Sequence, residues 1–90
     1  MTLRKGNNSF YIGDDELEPV AIINYVTAGD KRLIIDSTYV SETLRGQGIG
    51  ELLLDEVVKL ARKNKKIVIP LCPFAKHIMS KTNKYNDVLE

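Results

Sequence analysis

Tryptophan is absent from this chain, cysteine and histidine occur once each, and no apolar run approaches the roughly 20 residues that a membrane span needs. The single cysteine, Cys72, excludes an internal disulfide and a cysteine-based metal site, and it suits a reducing compartment. The single histidine, His77, excludes a histidine metal cluster, so no metal is expected. The N-terminus lacks the apolar core of a signal peptide, which predicts a cytoplasmic protein with no membrane partner. Charge of one sign is lacking too, since 13 Lys plus Arg stand against 12 Asp plus Glu for a net charge of +1. Such a balance gives no long-range field to gather nucleic acid, and the cations are not interleaved with aromatics. Arg62, Lys63, Lys65 and Lys66 form a local basic group. They read as a solvated helix end that offsets the helix dipole, and no nucleic-acid partner is expected.

Ninety residues predict one domain over 1–90, burying about 60–70% of its unfolded surface by size scaling. At 43% hydrophobic and 28% charged the composition is that of an ordinary globular chain. Ser9 to Ile12 reads as a first strand, ended by the turn cluster Gly13-Asp14-Asp15. Val20 to Val26 is a second, with Ala21, Ile23 and Tyr25 on one face and Val20, Ile22 and Val26 on the other, both faces expected to be partly covered. Ala28 to Lys31 makes a turn into a third strand, Arg32 to Val40, so these two should form an antiparallel hairpin. Ile49, Leu53, Val57, Leu60 and Ala61 then recur at helical spacing, predicting a helix from about Gly48 to Asn64 with Asp55 and Lys59 as an i,i+4 pair. Ile67 to Leu71 is a fourth strand, parallel to the third if the helix is a right-handed crossover. Pro73 opens a short helix, Phe74 to about Lys81, with Phe74 and Ile78 on one face. The tail from Thr82 has no clear pattern.

Between the third strand and the long helix lies Arg45-Gly46-Gln47-Gly48-Ile49-Gly50. Glycines at alternate positions let main chain approach a ligand closely, and the first-turn amides that follow have no intrahelical acceptor. With the positive end of the helix dipole behind them, those amides suit a pyrophosphate. A dinucleotide fingerprint would need glycine where Glu51 stands, and a nucleotide P-loop would need Lys and then Ser or Thr after Gly50. Both readings fail. The alternative to anion binding is that Gly46, Gly48 and Gly50 only shape a tight strand-to-helix connection, with Arg45 on the surface and Gln47 offering no more than an amide.

The run from Tyr39 through Val40, Leu44, Arg45, Gly48 and Gly50 to Leu53 resembles the acetyl-coenzyme A signature of the GNAT superfamily, Arg or Gln, two variable residues, Gly, one variable residue, Gly or Ala. The resemblance implies a reduced α+β GNAT-like fold, a mostly antiparallel sheet of about four strands with a crossover helix after the glycine turn and a short C-terminal helix. It also implies acetyl-CoA as ligand, with Val40 at the strand that pairs with the pantetheine arm and the amides from Arg45, Gly46, Gln47, Gly48, Ile49, Gly50 and Glu51 around the pyrophosphate. Over nearly the whole chain the sequence is similar to a short single-domain subfamily of acetyl-CoA-binding GNAT-like proteins. Ile35, Thr38 and Val40 match its third strand, Cys72 and Phe74 its Cys-x-Phe, and Tyr85, Asp87 and Val88 its close. Ser37 departs from it by standing where that subfamily has histidine.

Acetyl transfer to an amine requires a neutral nucleophile, polarisation of the thioester carbonyl and a proton for the departing thiolate. Longer GNAT enzymes take that proton from a tyrosine, and the matching position here is Met79, which has none to give. Tyr85 is the nearby alternative, competing with a role in sealing the core. Cys72, at the end of the fourth strand, is the catalytic candidate as a nucleophile or transfer group, against the simpler reading of a buried apolar filler. His77 reads as a surface or structural residue, and Asp36 and Glu42 as solvated carboxylates beside the signature or as bases acting through water. Two functions follow. One is an N-acetyltransferase acting on an unidentified amine, and the other is a non-catalytic or weakly active acetyl-CoA-binding module that serves a protein partner or senses the cofactor.

Overall fold

The computed structural model describes residues 2–89. Among them are five strands, β1 (Leu3–Gly6), β2 (Ser9–Ile12), β3 (Ala21–Ala28), β4 (Arg32–Val40) and β5 (Ile67–Pro70), and two α-helices, α1 (Ile49–Lys63) and α2 (Pro73–Ser80). The strands lie in chain order, antiparallel from β1 to β4 and parallel between β4 and β5. Gly29, at φ 68°, turns the β3–β4 hairpin, and α1 is the crossover that returns the chain to lay Ile67 opposite Arg32. No helix among the described residues is long and apolar enough to cross a membrane.

β1 is one strand more than the sequence predicts. Leu3-Arg4-Lys5-Gly6 has a single apolar residue and no alternation to reveal it. It pairs because the Asn7-Asn8 turn, with Asn8 at φ 58°, folds it back onto β2, Leu3 meeting Ile12.

The core forms on one face of the sheet. Ala21, Ile23 and Tyr25 of β3 with Leu33 and Ile35 of β4 pack against Leu53, Leu54, Val57 and Ala61 of α1, and α2 adds Ala75 and Met79. Each large aliphatic buried there contributes about 1.5–3 kcal/mol. The other face is covered less than expected, for Ile22 is half-buried but Val20 and Val26 are 41% and 45% exposed and Tyr39 49%. β-branched and aromatic residues suit a pleated surface with or without a second layer on it, so composition did not distinguish the two faces.

A bulge in β4 decides which residues face the core near the strand's end. Tyr25 is opposite Ile35 and Asn24 opposite Ser37, which leaves Asp36 as an extra residue. Leu33 and Ile35 face inward before it, and after it the inward positions become Thr38 and Val40, while Ser37 and Tyr39 are exposed. Ser37 Oγ accepts from Asn24 Nδ2 at 3.0 Å on the outer face.

The C-terminal segment closes the core against α1. Tyr85 is fully buried and its hydroxyl donates to Asp55 Oδ1 at 2.7 Å, while Lys84 Nζ approaches Asp55 Oδ2 at 3.2 Å. Asp55 is therefore committed to the tail and does not pair with Lys59, whose ammonium bonds Glu56 at 2.9 Å. Arg62 grips Asp87 with two nitrogens at 2.8 Å, which holds that carboxyl below its ordinary pKa, and Val68 N–H donates to Val88 O at 2.7 Å.

Burial, and then the hydrogen bond to Asp55, raise the Tyr85 phenol above its ordinary pKa. A group held protonated by the fold contributes stability that is whole below its unfolded pKa, about 10 for tyrosine, and is lost as pH rises beyond it. Urea denaturation from pH 8 upward should therefore show stability falling above about pH 10, with a flatter alkaline limb in Tyr85→Phe.

Candidate functional site

β4 outruns β5. Their last paired residues are Ile35 and Pro70, after which Leu71 and Cys72 N–H both donate to Ile35 O, at 3.1 and 3.2 Å, and the chain enters α2. Proline cannot extend the ladder, and Pro73 starts the helix at once. Thr38 to Val40 therefore continue with β3 on one side and no strand on the other. Ser41 N–H donates to Val20 O, so by alternation the main-chain groups of Val40 and Thr38 point to the open edge. The space beside them is an open groove of about 460 Å³, walled by the end of β4, the glycine turn and α2.

The three glycines serve two different needs. Gly46 and Gly48 have φ of 81° and 76°, and a Cβ built on either meets no atom within 4 Å, so these two are required by backbone conformation and leave open space beside the groove. Gly50 is ordinary helix, but a Cβ there would lie 2.5 Å from Phe74 Cζ. Its missing side chain is filled by the protein's own ring, which corrects the expectation that all three glycines clear space for a ligand. Gly50→Ala should push the Phe74 ring toward the groove at a cost of about 1–3 kcal/mol, visible as a lower urea midpoint together with weaker ligand binding.

Gly48 is the N-cap of α1 and offers no side-chain cap, and the first helical bond runs from Leu52 N–H to Gly48 O at 3.1 Å. The N–H groups of Ile49, Gly50 and Glu51 are left without intrahelical acceptors at the positive end of a 15-residue helix. Arg45 Nε donates to Val40 O at 3.0 Å and ties the turn to the strand end. Gln47 Nε2 reaches back to Thr43 O at 3.3 Å, so its side chain braces the turn.

Of the residues expected at the cofactor, Val40, Arg45, Gly46, Gly48, Ile49, Gly50 and Glu51 line the groove and Gln47 does not. Sequence reasoning missed Thr38 as a lining residue and the whole wall from α2, where Phe74, Ile78 and Lys81 recur at spacings of four and three. That spacing was the available signal. Cys72 is 6% exposed and stands one side chain behind the groove, its thiol donating to Thr38 Oγ1 at 3.4 Å. Met79 is buried in the core, Tyr85 is bound to α1, and His77, Asp36 and Glu42 are exposed away from the lining.

Comparison with known proteins bears on the family and the fold. The family model for GCN5-related N-acetyl-transferase matches residues 9–88. No curated protein sequence matches the chain. A GCN5-like protein of Staphylococcus aureus, solved by NMR in solution, is 44% identical over 99% of this chain and 87% of its own, with a TM-score of 0.86. Rv2747 of Mycobacterium tuberculosis, crystallised with CoA and a second ligand, is 21% identical with a TM-score of 0.62 over 78% of this chain, which spans only 46% of that protein. At that identity the likeness concerns the fold. The matched segment runs from β2 through the glycine turn and α2 to the tail, and on that evidence the chain belongs to the GCN5-related N-acetyl-transferase family.

Proposed function

We propose that this chain is an acetyl-CoA-binding domain that transfers acetyl from acetyl-CoA to an amine. The observation that carries the reading is the continuation of β4 past its last β5 partner into a turn whose glycines present the first amides of α1. Acetyl-CoA has a diphosphate, which suits those amides, and an arm with two secondary amides, which suits the open edge at Thr38 and the Val40 N–H in the manner of an added strand, Val40 O already accepting from Arg45. The reading assigns cofactor contacts to Val40 and to the main chain of Arg45, Gly46, Gln47, Gly48, Ile49, Gly50 and Glu51. Support from relatives is the CoA bound in the Mycobacterium tuberculosis structure of the same fold.

In the reaction an amine nitrogen bonds the acetyl carbon, the carbon–sulfur bond breaks, the nitrogen loses a proton and the departing thiolate gains one. Thr38 lines the groove and its Oγ1 accepts from Cys72 Sγ, so a proton given up by the threonine hydroxyl would be replaced from the thiol. Cys72 is thereby assigned to proton supply, with direct acceptance of the acetyl group as the other course its sulfur allows.

A second reading has its own support. Met79 is buried in the core, Ser37 turns to the outer face, and neither presents a proton-transfer group to the groove. This favours a binding module that holds acetyl-CoA and turns it over slowly, for a protein partner or as a sensor. Release of free CoA that depends on an added amine separates the two. Cys72→Ala should bind acetyl-CoA as the parent does in either case, and lowers amine-dependent release about tenfold or more only if the thiol takes part in transfer. Release from acetyl-CoA that no amine accelerates would leave the module reading alone.

A further inference from the structure

The α2 wall of the groove carries a cation that neither the glycine turn nor the thiol accounts for. Phe74, Ile78 and Lys81 share one face of α2 and all line the groove. Lys81 is the C-cap residue, and its φ of −81° and ψ of −14° keep that stripe on its helical course. Phe74 lies against Gly50 in the first turn of α1, so Lys81, seven residues on, stands about 10 Å farther along the wall. In the opposite direction α2 begins at Cys72, whose thiol touches Thr38.

The order of features along α2 is therefore a thiol and hydroxyl, then an apolar ring beside the diphosphate cradle, then an ammonium. Acetyl-CoA has the same order of chemistry: a thioester, an arm ending in a diphosphate, and a nucleoside bearing a 3′-phosphate. The diphosphate is matched by main-chain amides and the dipole of α1. The 3′-phosphate is a monoester of charge about −1.5 to −2 at neutral pH, carried on the ribose and not on the diphosphate that those amides would hold. It needs a full cation. Arg45 also lines the groove and keeps its charge, but its Nε bond to Val40 O anchors the guanidinium at the strand end, away from the α2 wall that carries Lys81. Glu51, the carboxylate of the lining, sits in the first turn of α1 on the cradle side. Lys81 forms no ion pair among the described residues and is, with Arg45, one of the two cations of the lining.

We propose that Lys81 reads the 3′-phosphate and makes the groove selective for CoA over 3′-dephospho-CoA. The proposal rests on the acetyl-CoA reading of the groove given above. A cation at a helix C-terminus also offsets the helix dipole, but that role alters thermal stability and leaves the ratio of affinities for two ligands unchanged.

The test is calorimetric titration of the full chain, Lys81→Gln and Lys81→Glu with CoA and with 3′-dephospho-CoA at low salt, with amide spectra to show that each variant is folded. The parent should bind CoA about three- to tenfold tighter than the dephospho form, a preference that shrinks as salt is raised. Lys81→Gln should bind both ligands as the parent binds 3′-dephospho-CoA, and Lys81→Glu should invert the preference. Equal affinities in the parent, a preference unchanged in Lys81→Gln, or an equal weakening toward both ligands would each overturn the assignment while leaving the cofactor reading intact. A parent that binds neither ligand removes both.

Discussion

Gly48→Val should reduce affinity for acetyl-CoA by about a hundredfold or more while leaving a folded protein. Gly48 sits at φ 76°, a region that a β-branched residue occupies only under strain of about 1–3 kcal/mol. Valine relieves that strain by returning to negative φ, and the main chain on either side must rotate with it. Because Gly48 is the residue immediately before α1, that rotation redirects the N–H groups of Ile49 and Gly50. Each hydrogen bond from such a group to a phosphate is worth about 1.5–3 kcal/mol, so misdirecting two of them accounts for the loss. A domain of this size has roughly 5–13 kcal/mol of stability, which survives the strain. The comparison variant is Gly50→Ala, whose added methyl strikes Phe74 and leaves the turn's dihedrals alone. Calorimetry should show the hundredfold loss in Gly48→Val and a lesser, Phe74-mediated weakening in Gly50→Ala, and near-parental affinity in Gly48→Val would remove the phosphate cradle from the proposed function.

Tyr85→Ala should lower stability by about 3–5 kcal/mol, since a fully buried aromatic is removed from between the tail and α1. At about 4–8 °C per kcal/mol for a domain this small, Tm falls by roughly 12–40 °C. Tyr85→Phe keeps the ring and loses only the bond to Asp55 Oδ1, costing about 1–2 kcal/mol. Asp55 still has Lys84 beside it and is not left an isolated charge. If Tyr85 only seals the core, the Phe variant matches the parent in any amine-dependent turnover at temperatures where it is folded. A large drop in turnover in that folded variant would reopen the phenol as a proton donor.

Several elements were legible because local chemistry dictates them. The helical recurrence from Ile49 to Ala61 gave α1 to within a residue at each end, and the Gly29 turn gave the β3–β4 hairpin. A long crossover helix between strands gave β5 its parallel direction. β1 was not legible, because a polar edge strand is specified by the turn that folds it back and by the partner it finds, with little pattern of its own. How thinly the outer face of β3 is covered was not legible for a related reason, that Val and Ile favour strands whether or not anything covers them.

The glycine turn is a product of local chemistry: two glycines whose backbone conformation other residues resist, followed by a helix whose first amides lack acceptors. These are properties of neighbouring residues, and they persist wherever the segment is placed. Tertiary structure alone decided the rest of the groove. The bulge at Asp36 turned Thr38 inward to meet Cys72, thirty-four positions away, and Pro70 with Pro73 ended β5 early enough to leave the β4 edge open. Packing of α2 spent the missing Cβ of Gly50 on Phe74 and set Lys81 on the same wall. Such contacts join segments that are distant in the chain, and they exist only when the strands have taken their register and the helices have buried their apolar faces.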